Sequence, residues 1–161
     1  MTQGKFDHPD VDGPDLTARS MADVRTQYGA LCWRMHRGKV EVLLITSRDT
    51  GRWVIPKGWP IDGLAPAQTA AREAWEEAGV EGDIAEQGLG VFDYDKCYGL
   101  KGSVPCSVEV FGLRVAELKG KFPERKERRR KWFDFEKAAR KVAEPELRAL
   151  LLALPERLAV A

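Results

Sequence analysis

The chain has 161 residues, of which 43% are hydrophobic and 32% charged, and its formal net charge is +1. That length suits one globular domain, and that mix is too polar for a membrane protein and too apolar for a disordered one. The near-zero charge excludes bulk electrostatic capture of duplex nucleic acid or anionic membrane by the whole surface, so any basic patch must be local.

Residues 1–24 carry Gly4, Pro9, Gly13 and Pro14 among scattered charges, without apolar periodicity, and read as an irregular tail before a single domain over 25–161. There is no apolar h-region at the start and no stretch of membrane-spanning length. Cys32, Cys97 and Cys106 are odd in number and form no C-x-x-C or Cys/His cluster, so neither a disulfide framework nor a zinc site is indicated. A reducing compartment fits them, and the expected location is cytoplasmic.

Gln27–Met35 and Val40–Ser47 are β-rich runs separated by His36-Arg37-Gly38-Lys39, which predicts a hairpin with Gly38 in the turn. Arg52–Ile55 is a short strand ended by Pro56, and Lys57–Gly63 reads as a loop from its Gly and Pro content. Pro66 suits a first helical turn, Ala67–Ala78 are helix formers, and Gly79 stands where a left-handed C-terminal cap belongs. Ala67, Ala70, Ala71, Ala74 and Ala78 share one face, and such small side chains let a helix lie close on a sheet. Ile84–Tyr94 and Val104–Leu118 are strands joined by the polar loop Asp95–Ser103, and Lys131–Phe133 makes a further short strand. Asp134 stands at an N-cap before a helix Phe135–Val142, and a last helix starts at Pro145 and stops at Leu154 before Pro155. Strands, one central helix, strands again and helices last predict a mixed α/β arrangement; no G-x-G-x-x-G supports a Rossmann unit.

Glu73, Glu76 and Glu77 are spaced i, i+3 and i+4, so their carboxylates lie on one side of the central helix and repel. A bare E-x-x-E-E would read as a solvated acidic face with Arg72 pairing to Glu76. A divalent cation offers another resolution: hard oxygen donors suit Mg²⁺ or Mn²⁺, held through one or two carboxylates, waters and substrate phosphates. Such a metal would neutralise anhydride oxygens and acidify a bound water, with a carboxylate taking the proton.

Taken whole, Gly58–Val80 resembles the Nudix box, G-x5-E-x7-R-E-U-x-E-E-x-G-U with U apolar, at Gly58, Arg72, Glu73, Ala74, Glu76, Glu77, Gly79 and Val80. It departs at Leu64, where the box has its first glutamate. The resemblance implies an α/β/α sandwich on a mixed sheet, with the box helix on one side and the C-terminal helices completing it. It implies a metal-dependent pyrophosphohydrolase, with Glu73 and Glu77 as Mg²⁺ or Mn²⁺ ligands, the Gly58 carbonyl as a further ligand, Glu76 as ligand or base, and Arg72 and Gly79 as structural members. Arg52–Pro56 and Arg129–Phe133 look like the diphosphoinositol polyphosphate phosphohydrolase and diadenosine polyphosphate hydrolase branch.

Lys119 to Lys131 is the densest charge, eight basic residues against two acidic, and reads either as a solvated loop or as part of a polyphosphate clamp. Arg128 and Arg129 from this run, with Lys57, Arg48, Arg52 and Lys101, are the expected substrate-binding cations. Trp59, Tyr94 and Tyr98 are candidates for stacking on a base, while Trp53, Trp132, Phe133 and Phe135 are expected to pack. The expected partner is therefore a polyphosphorylated small molecule, with neither membrane nor nucleic acid, and the chain a monomer or homodimer. The alternatives are a ligand-binding module weakened in turnover by Leu64, and an RNA 5′-end pyrophosphohydrolase.

Overall fold

A computed structural model describes residues 23–160, so most of the tail expected over 1–24 lies outside the described residues. In chain order the elements are β1 (Arg25–His36), β2 (Lys39–Thr46), β3 (Trp53–Val54), β4 (Lys57–Gly58), α1 (Pro66–Ala78), β5 (Val80–Cys97), β6 (Ser103–Leu118), β7 (Arg130–Asp134), α2 (Phe135–Lys141) and α3 (Pro145–Val160). The β1–β2 turn has only Arg37 and Gly38 between paired His36 and Lys39, both at positive φ (52° and 79°). Two such residues make the primed turn whose twist matches a hairpin.

One mixed sheet runs β3-β2-β1-β6-β5, with β4 also on β1 and β7 also on β2. β1 and β6 are parallel from Arg25↔Cys106 to Trp33↔Arg114, and every other pairing is antiparallel. Alternate side chains leave opposite faces of a strand, and the core divides accordingly. Leu31, Val42, Leu44, Val108 and Val110 join Leu147, Leu151 and Leu154 on the α2–α3 side. Ala30, Cys32, Leu43, Ile45, Phe111 and Leu113 join Ala67, Ala70, Ala74 and Ala78 on the α1 side. The fold is therefore the expected α/β/α sandwich.

Three local expectations are corrected. Lys57-Gly58 is not plain loop: it pairs with Tyr28 and Gly29 of β1, which holds Gly58 at a fixed height beside α1. Asp134 makes no side-chain cap, and its Oδ1 is buried without a partner. The last helix runs through Pro155 to Val160. Leu147, Leu151, Leu154 and Leu158 recur on one stripe and pack into the core, and Arg157 Nη1 donates to the Leu89 carbonyl at 2.9 Å. Burying that stripe offsets the ~3 kcal/mol that an internal proline costs.

Gly79 is the hinge between α1 and β5, at φ 68° and ψ 28°, with its N–H returning to Ala74 and Trp75 carbonyls. A Cβ there would stand 2.8 Å from Arg130 Nη1 and 2.9 Å from the Lys119 carbonyl oxygen. Gly79→Ala is expected to destabilise by at least about 1–2 kcal/mol from the left-handed backbone alone. A urea-denaturation midpoint equal to that of the wild type would refute this.

Candidate active site

Pro66 opens α1, and Gln68 Oε1 accepts the Ala65 N–H at 2.9 Å, tying the preceding loop to the first turn. The alanine face lies on β1 and β5, which turns Glu73 and Glu77 toward β4. Lys57 donates its backbone N–H to Glu77 Oε1 at 3.3 Å. A Cβ on Gly58 would stand 2.7 Å from both carboxylate oxygens of Glu73, so only glycine leaves that approach open.

These residues form the wall of a cavity of about 310 Å³. Of the expected site residues, Arg48, Arg52, Lys57, Gly58, Glu73, Glu77 and Arg128 line it, together with Trp59 and Tyr94. Glu76 does not line it, although its charge acts on Glu73 and its carbonyl accepts the Glu124 N–H at 2.9 Å. Lys101 lies in a helical turn at the β5–β6 tip, and Arg129 stacks over Trp53 at 5.5 Å; neither lines the cavity. Arg72 makes no ion pair with Glu76; it is exposed and lines a second cleft with Leu64 and Trp75. Tyr98 stands half-exposed near the same tip as Lys101.

Charge compensation is uneven. Arg128 is the pivot: its Nε donates to Glu124 Oε1 at 2.8 Å, Nη1 to the Thr46 carbonyl at 3.1 Å, and Nη2 stands 3.7 Å from Glu77 Oε2. Arg48 pairs with Glu127 at 3.0 Å and Arg52 with Glu144 at 3.8 Å. The Lys57 ammonium lies 4.7 Å over the Tyr94 ring; burial lowers its pKa, while Glu77 and Glu144 act to raise it. Tyr94 donates to Gln27 Oε1 at 2.6 Å, and burial raises its own pKa. Burial also pushes the Cys32 thiol up to about 12, an inert core thiol.

Burial, then the charge of Glu77 and hydrogen bonding between the two carboxyls, pushes Glu73 up to about 8. Burial raises Glu77 as well, opposed by Arg128 and Lys57. Two adjacent carboxylates that resist ionising together could both be neutralised by one divalent cation. Among the described residues no group of three or more His, Cys, Asp or Glu side chains is gathered for a metal. Glu73 and Glu77 are therefore the two carboxylates that could meet a hard cation such as Mg²⁺, which keeps waters of its own.

The folded state holds Glu73's proton up to about 8 against 4.5 for the free group, so it binds more protons than the unfolded state across that window. In chelator, stability is then fullest below about pH 4.5 as far as this group decides, and falls as pH rises toward 8. Mg²⁺, which takes the ionised form, is expected to remove that fall. Urea midpoints at pH 5, 6.5 and 8.5, with EDTA and with Mg²⁺, check this; a midpoint rising with pH in EDTA would sink it.

Sequence reasoning passed over Glu124 and Glu144, both lining the cavity. Glu124 stood inside the basic run and Glu144 between two helices, neither at a spacing linked to the box. Glu144's place directly before Pro145 was the one available signal, since acidic residues favour a helix start.

The family model described as NUDIX domain matches residues 25–154. Nudix hydrolase 12, mitochondrial, of Arabidopsis thaliana is 37% identical over 108 residues, covering 62% of this chain and 51% of that protein. Diphosphoinositol polyphosphate phosphohydrolase 3-alpha of Mus musculus is 34% identical over 110 residues, covering 67% and 63%. The chain thus spans about half to two thirds of the length of these curated relatives. An Ap4A hydrolase of C. elegans, solved as a binary complex, superposes with a TM-score of 0.63 at 25% identity, covering 86% of this chain and 100% of that one. No helix among the described residues is long and apolar enough to cross a membrane.

Proposed function

Since the chain belongs to the NUDIX domain family, we propose that it is a metal-dependent hydrolase of a phosphoanhydride bond in a polyphosphorylated small molecule. The substrate is a diadenosine or other nucleoside polyphosphate, or a diphosphoinositol polyphosphate, as the names of its relatives suggest. The observation that carries the reading is the Glu73–Glu77 pair facing Gly58, in a cavity that also holds Arg48, Arg52, Lys57 and Arg128.

Mg²⁺ or Mn²⁺ bound at Glu73, Glu77 and the Gly58 carbonyl would neutralise anhydride oxygens and acidify a water. The protein's own part is positional. Lys57 meets Glu77 Oε1 through its backbone N–H, Arg128 stands near Oε2, and the charges of both oppose the rise that burial imposes on that carboxyl. Lys57, Arg48 and Arg52 accept the phosphate chain, with forked guanidiniums suited to paired oxygens. Glu76, next to the pair and not itself in the wall, serves as the base through water or on closure around substrate. Trp59 and Tyr94 offer ring faces to a base. The expected cytoplasmic setting belongs to this proposal too, although the plant relative carries a mitochondrial name.

The test is incubation with diadenosine polyphosphates, nucleoside triphosphates, ADP-sugars and inositol pyrophosphates, with Mg²⁺, Mn²⁺ or EDTA, products being resolved by chromatography. Metal-dependent cleavage of one class is expected. No turnover across the panel would instead favour a ligand-binding module, the reading that Leu64 supports, together with an Arg72 that has no ion pair among the described residues.

A further inference from the structure

Glu144 is an acid of the cavity that the box does not supply and that the metal-site reading leaves unused. It directly precedes α3, and the Arg148 N–H bonds its carbonyl at 3.0 Å, so its backbone is pinned. The residue is only 8% exposed, yet it lines the cavity with Arg52, Lys57 and Tyr94. Its carboxylate stands 3.8 Å from Arg52 Nη1, beyond hydrogen-bond reach, and among the described residues it accepts no hydrogen bond. The adjacent start of α3 offsets part of its charge, but the acceptor capacity of two oxygens is unspent.

Its carboxylate oxygens are not among the buried polar atoms of the described residues that lack a partner, so they open onto the cavity and can be met there by a donor group of a ligand. The walls around it carry cations suited to phosphate, and a phosphate pressed against Glu144 itself would be repelled. The group it suits is a neutral donor attached to a phosphate chain. We infer that Glu144 is a specificity-determining residue that accepts hydrogen bonds from the ribose hydroxyls of a nucleoside polyphosphate.

This rests on the reading of the cavity as the substrate site and deepens it: a vicinal diol supplies two O–H donors, whereas a fully phosphorylated inositol ring supplies none. Glu144 thereby selects the nucleoside class. Arg52 then has two tasks, holding Glu144 in place and meeting a neighbouring phosphate.

The experiment compares ATP with 2′,3′-dideoxy-ATP by calorimetry in Mg²⁺, for the wild type, Glu144→Gln and Glu144→Ala, with product formation followed in the same samples. The wild type is expected to bind ATP at least about tenfold more tightly than the dideoxy analogue. Glu144→Ala should erase most of that difference by weakening ATP alone. Glu144→Gln, which keeps the side-chain volume and one acceptor, should fall between. Equal affinities in the wild type, equal weakening of both nucleotides by Glu144→Ala, or no binding of either would overturn the inference. Hydrolysis without a ribose preference would overturn it and leave the hydrolase standing. A ribose preference without hydrolysis of any substrate would uphold it and remove the hydrolase.

Discussion

Glu77→Gln is expected to lower kcat/KM by about 10³-fold, roughly 4 kcal/mol of transition-state stabilisation. The substitution keeps the shape of the side chain and an oxygen able to accept the Lys57 N–H, which now reaches Oε1 at 3.3 Å. It removes one of the two carboxylates available to a divalent cation, and with it the charge that burial already opposes. Metal-free stability should hold, because Arg128 keeps Glu124 at 2.8 Å and the removal of a buried acid offsets the loss of its long contact with Arg128. The two readouts separate function from folding: the Mg²⁺-dependent rise in melting temperature should vanish while the midpoint in EDTA does not drop. Turnover within about tenfold of the wild type would exclude Glu77 as a metal ligand.

Arg128→Met is the second large effect. Its guanidinium serves Glu77, Glu124 and the Thr46 carbonyl at once, with its side chain only 10% exposed. Methionine fills much of the volume but leaves Glu77 and Glu124 facing each other without the charge between them. Removing one partner of a buried ion pair costs about 3–5 kcal/mol, and the lower figure is expected here because the Glu77 contact is long. Activity should fall about 10–100-fold as well, the usual cost of losing a group that orients a metal ligand. Arg128→Lys should recover little, since an ammonium cannot reach three acceptors in a plane. Urea unfolding at pH 7 in EDTA measures the first effect, and a loss below about 1 kcal/mol would reduce the contact to a surface pair.

Lys57 shows why local spacing could point to a residue without describing its role. Beside Gly58 it was the natural substrate cation, and its ammonium does line the cavity. What spacing could not give is that its backbone N–H meets Glu77, twenty residues on, or that Tyr94 sits beneath it. The basic run Lys119–Lys131 divides in the same way. Arg128 turns inward to the carboxylates, Arg130 Nη1 donates to the Ala78 carbonyl at the end of α1, and Arg129 lies over Trp53. Equal charges in one stretch received three different tasks, because each depends on which neighbour the β6–β7 connection brings near.

The sequence by itself determined α1, its left-handed cap at Gly79 and three carboxylates on one side of that helix, because helix period and capping are local properties of the chain, while the sandwich was implied by the resemblance to the Nudix box. The leucine stripe that carries α3 through Pro155 was equally present, but its worth depended on a core to receive it. Only the tertiary structure decided that Glu76 and Lys101 stand outside the cavity wall, that Arg72 lines a second cleft instead of pairing with Glu76, and that Glu124 and Glu144 stand within the wall. Those outcomes are set by contacts between residues far apart in the chain, such as Lys57 with Glu77 and Arg52 with Glu144, where burial and electric field come from neighbours that no spacing along the chain encodes.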